Sequence, residues 1–237
     1  YTPTPHTSYA LSSLFTGKYL KPVLQLPEAP AEHPTLPELL RRYGYRTAAF
    51  YPPAILRVDA HRFRALQAKG FGFEYRKEMF ASAAERVGQL RSYLENIEAG
   101  HPLFVWVHLF EPHEPYDPLP EFRRGESNRE RYDAEVRAVD QGVGALVQLM
   151  KRSRPGSVVV LSADHGEEFG EHGGYYHGST LYEEQSRVPM LWWAPEQWSP
   201  KTISSPVELV DIVPTLLSAA GVPVDARMRG DDLGPCL

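Results

Sequence analysis

The chain has 237 residues, of which 42% are hydrophobic and 11% aromatic, so it can bury one large α/β core or two small ones. A formal net charge of −5 supplies no basic field, and a nucleic-acid partner is not expected. The single cysteine, Cys236, rules out an internal disulfide or a thiolate zinc site, and no apolar run reaches the ~20 residues of a membrane helix.

In chain order, residues 8–16 (SYALSSLFT) read as a short helix stopped by Gly17. Residues 35–43 (TLPELLRRY) form an amphipathic helix with Pro37 in its first turn, and 46–51 (RTAAFY) a strand. A helix over 81–97 carries Val87, Leu90, Leu94 and Ile97 at helical spacing. Residues 103–110 (LFVWVHLF) read as a strand covered on both faces, because no position on it is suited to water. A long helix over 131–151 follows, then strands over 157–162 and 188–193, then a helix over 209–220 that contains Pro214 and stops at Gly221. Strands separated by helices predict a doubly wound α/β sandwich, with one domain spanning 1–237.

Ligands of such folds bind beyond the carboxyl ends of the strands. That rule selects EPHEPYDP after the 103–110 strand and ADHGEEFGEHGGYYH after the 157–162 strand. It adds TPTPHTS, which runs into the first helix. Asp164 and His165 offer a carboxylate and an imidazole, a pair that suits zinc, manganese or iron better than calcium. The alternative is that Asp164 caps a following helix. The H-E-x-x-H spacing of zinc peptidases is absent, since Gly166 follows His165 and His172 lies seven residues on. His113, held between Pro112 and Pro115, suits an anion contact or a general acid, while His108 reads as a core histidine. Thr7 and Ser8 fit a helix N-cap, and the same place suits a hydroxyl nucleophile acting on a bound phosphate or sulfate. Spacing alone does not choose among Thr7, Ser8, Ser12 and Ser13.

Four blocks, HTSYALSSLFTGKY, FVWVHLFEPHEPYDP, LSADHGEEFGEHGGYYHGSTLYEEQSRVPML and VELVDIVPTLLSAAGVP, resemble the sulfatase family of the alkaline-phosphatase superfamily, in the family's order. The resemblance implies a three-layer α/β/α sandwich with a mostly parallel sheet, and a sulfatase-like catalytic domain over 1–237. It also places the family's first strand, with the acidic metal ligand at its end, before Tyr1, so the chain is expected to be a piece of a longer protein or to carry an incomplete metal site. By the family pattern C/S-x-P-x-R, Thr7 occupies the nucleophile position, Tyr9 that of the proline and Leu11 that of the arginine. Threonine cannot yield the formylglycine of sulfatases, and Thr7 resembles instead the nucleophile of lipoteichoic acid synthases and phosphoethanolamine transferases. The resemblance makes Asp164, His165 and Thr7 ligands of a divalent metal, manganese or zinc ahead of calcium or magnesium, and Thr7, His113 and His177 the catalytic residues. The activity implied is hydrolysis or transfer of phosphate esters, with sulfuric ester hydrolysis as the alternative. A non-catalytic anion-binding or scaffold domain is the reading of a different class. The expected substrate is a small-molecule or lipid-linked ester, with specificity in the loops 18–34 and 110–130. Any membrane contact would come through segments absent from this chain, in an extracytoplasmic or membrane-attached parent.

Overall fold

A computed structural model describes residues 1–20, 34–56 and 63–237. Most of the 18–34 loop therefore lies outside the described residues.

The parallel sheet has the order β2 (Tyr75–Glu78), β1 (Arg46–Tyr51), β3 (Leu103–Val107). β1 matches its expected bounds because its Ala48, Ala49 and Phe50 are wholly buried, with α-helices on both sides. One face is covered by α1 (Thr7–Thr16), α2 (Leu36–Arg42) and α7 (Ile212–Ala219), whose Tyr9, Leu11, Phe15, Leu39, Val213 and Leu217 share a cluster with Ala49 and Tyr51. The opposite face packs Phe50 and Ala48 against Leu90 of α4 (Ala83–Asn96) and Leu149 of α5 (Asn128–Ser153). This is the three-layer α/β/α arrangement the sequence predicts. A short helix, α3 (Arg64–Lys69), leads into β2, an edge strand that hydrophobic patterning does not reveal because all four of its residues are exposed.

Two helices begin where side chains satisfy their free N–H groups. Ser82 caps α4 and Ser127 caps α5, each in a reciprocal box with Glu85 or Glu130. α5 thus starts three residues before the expected Arg131. α1 stops at Gly17, whose φ of 64° is the left-handed conformation that glycine adopts without penalty. Pro214 is tolerated because it falls in the first turn of α7, after a 3-10 turn over Leu209–Asp211, where its missing N–H would have had no helical partner.

Two expectations are corrected. β4 (Val159–Ser162) and β7 (Met190–Trp193) pair antiparallel in a sheet of their own. The chain between them returns to the end of β4 it left, so β7 runs back along it. β3 is half-buried throughout rather than covered on both faces. Among the described residues it pairs only with β1, leaving its second edge unpaired, and Leu161 and Leu191 are also exposed. Between β4 and β7 lie a small hairpin, β5 (Glu168–Phe169) with β6 (Tyr175–Tyr176), and α6 (Glu183–Ser186).

Candidate active site

α1 begins at Thr7, and the cap position is taken by His6 in extended conformation. Neither Thr7 nor Ser8 is therefore the N-cap. The Thr7 hydroxyl instead reaches across to the loop after β4, where its Oγ1 lies 3.0 Å from His165 Nε2. The other three hydroxyls are buried and occupied by the backbone. Ser8 Oγ donates to the Ile55 carbonyl at 2.8 Å, Ser12 Oγ to the Ser8 carbonyl at 2.6 Å, and Ser13 Oγ accepts from the Leu20 N–H at 2.9 Å. Position separates Thr7 from its neighbours where spacing did not.

Asp164 and His165 follow the end of β4, with Asp164 Oδ2 3.4 Å from His165 Nε2. The element that follows them is the β5 strand, so Asp164 caps no helix. His165 Nδ1 lies 2.9 Å from the Gly166 carbonyl, which only accepts, so Nδ1 carries the proton. Nε2 then presents its lone pair to Thr7 and Asp164, the tautomer a metal-binding imidazole requires. Burial alone would raise the Asp164 pKa, but the positive charge that His165 and His108 carry when protonated, together with the neighbouring Thr7 hydroxyl, outweighs it and holds the carboxyl below its usual range. A hydroxyl oxygen, a carboxylate and an imidazole nitrogen converge, a donor set that fits zinc or manganese. Gly166 makes the turn possible. A Cβ there would stand 2.1 Å from the Glu184 carbonyl oxygen, while the Gly166 N–H donates to the Gln185 carbonyl at 2.8 Å.

His108, read from sequence as a core residue, sits beyond the end of β3 with its N–H bonded to the Phe50 carbonyl at 2.8 Å. Burial lowers its pKa, against the opposing charge of Asp164. It belongs to the wall of this site.

His113 and His177 arrive from different loops and meet, with ring centroids 5.4 Å apart. The His177 ring also stacks on His165 at 4.0 Å. His113 is stacked on Phe110 at 4.6 Å, its Nδ1 is 2.9 Å from the Glu114 carbonyl, and the Glu111–Pro112 and Glu114–Pro115 bonds are cis. His177 Nδ1 donates to Glu167 Oε1 at 2.9 Å, and the buried Tyr116 hydroxyl donates to Glu167 Oε2 at 2.7 Å. Burial acts to lower the His177 pKa, yet the hydrogen bond and charge of Glu167 prevail and raise it. Both imidazoles thus use Nδ1 for anchoring and leave Nε2 for another partner.

Glu167 and Tyr116 were not singled out by sequence reasoning. Glu167 was one acid among four in a crowded loop, and only the fold brings Tyr116 to it.

The Sulfatase family model matches residues 1–222. The chain belongs to the sulfatase family. Among curated sulfatase relatives, it is 25% identical to an ulvan-active sulfatase of Formosa agariphila over 97% of this chain and 54% of that protein. It is 39% identical to human arylsulfatase K over 33% of this chain and 15% of that protein. The chain thus spans about half, or less, of these relatives' length. Solved structures share the alkaline-phosphatase-like fold. BT4656, in complex with its substrate D-glucosamine-2-N,6-O-disulfate, matches all of this chain and 71% of its own with a TM-score of 0.80 at 17% identity. The lipoteichoic acid synthase LtaP of Listeria monocytogenes matches 97% of this chain and 63% of its own with a TM-score of 0.73 at 20% identity.

Proposed function

We propose that residues 1–237 form the catalytic domain of a metal-dependent hydrolase or transferase of phosphate esters, with Thr7 as nucleophile. The observation that carries this reading is the Thr7 hydroxyl, 3.0 Å from His165 Nε2 at the N-terminus of α1. A threonine there has a usable hydroxyl but cannot provide an aldehyde.

Asp164, His165 and Thr7 would hold the divalent metal. When bound, such an ion supplies charge neutralisation for the ester and lowers the pKa of a coordinated hydroxyl. His165 Nε2, 3.0 Å from Thr7 Oγ1, orients that hydroxyl beside Asp164. The free N–H groups and positive dipole end of α1 favour an anionic phosphoryl group in front of Thr7. Thr7 Oγ, its proton released to solvent, attacks phosphorus in line as the P–O bond to the leaving alcohol breaks, giving a phosphothreonine. His177, whose protonated form Glu167 favours, binds a non-bridging oxygen or protonates the leaving oxygen, and His113 provides the second imidazole. Water or an acceptor alcohol then takes the phosphoryl group from Thr7. The substrate is a small-molecule or lipid-linked ester.

Sulfuric ester hydrolysis is the second reading, favoured by the arylsulfatase and ulvan-active sulfatase relatives. Rapid-quench mass spectrometry of peptides covering residues 1–18 separates the two. Brief reaction with an activated phosphoester should place phosphate on Thr7, Thr7→Ala should lose the label and nearly all turnover, and Thr7→Ser should keep part of both. Full turnover by Thr7→Ala, or efficient aryl sulfate cleavage without a labelled Thr7, rejects the mechanism. A full-length protein that binds no divalent ion would favour a non-catalytic domain.

A further inference from the structure

A second set of ligating side chains lies apart from the Thr7, Asp164 and His165 constellation. Glu168, at the start of β5, is 1% exposed. Its Oε1 accepts from the N–H groups of His172 (3.2 Å) and Gly174 (2.9 Å), and its Oε2 from Gln185 Nε2 (2.8 Å). His172, in the turn of the hairpin, contacts Glu184 Oε1 through Nδ1 and stacks on Tyr182 with centroids 3.7 Å apart. Glu184 belongs to α6 and is itself largely buried. One donor atom from each of Glu168, His172 and Glu184 lies within 4.8 Å of the other two.

Charge makes this arrangement unbalanced. Two carboxylates converge on a single imidazole, and among the described residues neither forms an ion pair with lysine or arginine. The three donors to Glu168 are all neutral or backbone groups, and they leave its carboxylate with further acceptor capacity. Two carboxylates and an imidazole held within reach of one another, with no lysine or arginine between them among the described residues, present their oxygen and nitrogen atoms to one divalent ion.

We propose that Glu168, His172 and Glu184 form a second divalent-cation site that takes zinc. One imidazole nitrogen and two carboxylates match zinc's preference for mixed nitrogen and oxygen ligands, whereas calcium takes oxygen ligands in greater number. The Tyr182 ring fixes the imidazole plane, which sets the direction of the nitrogen lone pair. The site would clamp the β5–β6 hairpin to α6. That hairpin starts one residue after Glu167 and ends one residue before His177. The clamp would therefore steady both members of the Glu167–His177 pair while contacting neither the substrate nor Thr7.

Zinc content per full-length chain, measured by plasma mass spectrometry after gel filtration, tests the proposal. His172→Ala and the isosteric Glu184→Gln are compared with their parent, in wild-type and in Asp164→Ala backgrounds. His172 is half-exposed, so its truncation leaves the core intact, and the glutamine variant repeats the test without a change of shape. Each substitution should remove one equivalent of zinc in both backgrounds. Asp164→Ala alone should still bind one equivalent, and cobalt substitution should give it a ligand-field absorption band that His172→Ala abolishes. Unchanged zinc content in either variant overturns the site, leaving Glu184 and His172 as an ordinary hydrogen-bonded pair. Should Asp164→Ala bind as much zinc as wild type, the Thr7 mechanism is at fault, and the His172 comparison still stands.

Discussion

His177 shows how one side chain is held in place by two others. The Tyr116 hydroxyl and the His177 Nδ1–H both donate to Glu167, one to each carboxylate oxygen. Glu167 is thereby fixed, and it fixes the imidazole against the His165 ring. His177→Ala and His113→Ala should each reduce turnover strongly, on the order of 10²-fold or more for an acid or anion-binding group, with the Asp164 metal retained. Metal analysis beside kinetics decides this. Loss of that metal in His177→Ala would point to a two-metal centre, since Glu114, Glu167 and His177 also bring donors within 4.8 Å of one another. Tyr116→Phe removes only the hydroxyl, so it should lower kcat by a smaller factor and leave metal content unchanged. The strand-end rule selected the loops that carry Asp164, His165, His113 and His177, and the segment that runs into α1, but Thr7 and His177 were singled out within them only by the family resemblance. Glu167, Tyr116 and His108 were not legible in that way. Their importance lies in contacts such as Tyr116 with Glu167, 51 positions away, which local patterning does not encode.

Among the elements, α5 supports the loop that carries His113. Its Glu135 is buried with Oε2 lacking a hydrogen-bond partner, and its carboxyl group faces the backbone of Asp117 and His113. Burial raises its pKa from 4.5 to about 7, opposed by the backbone N–H groups of Asp117 and His113 and assisted by the charge of Glu111. The raised value fixes the sign of the linkage. Below the unfolded pKa both states are protonated and Glu135 costs nothing. As pH rises from about 4.5 to about 7 the unfolded chain ionises first, so stability falls, and above that range the full cost is present. Glu135→Gln, which keeps the shape and removes the charge, should be more stable than wild type at pH 8 by about 1–2 kcal/mol after allowing for solvent screening, with the difference gone at pH 4. Urea unfolding at the two pH values measures it, and a gap that does not shrink toward pH 4 is the contrary result. Glu135 was hidden in the sequence by the polar residues around it. The start of α5 was there to be read, because S-N-R-E carries the capping box, but the first apolar positions draw the eye further along. Strand β2 was not, since all of it is exposed and its pairing with β1 is its only structural signature.

At the scale of the molecule, the site joins two sheets that share no ladder among the described residues. The β2-β1-β3 sheet sends the His113 and Tyr116 loop from the end of β3, and the β4–β7 pair sends Asp164 and His165 from the end of β4. α1, which lies on the first sheet, brings Thr7 to the second through its contact with His165, 158 positions away in sequence. A cation shared by Thr7, Asp164 and His165 would therefore link parts of the chain that close a long loop, and it would bind the folded state alone. At 100 times its dissociation constant such an ion adds about 2.7 kcal/mol, which in a domain of this size raises Tm by about 5–10 °C. Asp164→Ala removes the anionic ligand, so most of the rise due to this site should vanish. The Glu168–His172–Glu184 cluster would add a rise of its own, so the informative quantity is the metal-induced increase in wild type minus that in Asp164→Ala. Calorimetry of chelator-stripped protein, repeated with added manganese and with added zinc, gives that difference for each ion. A difference near zero for both would mean that Thr7, Asp164 and His165 hold the two sheets together by hydrogen bonds alone.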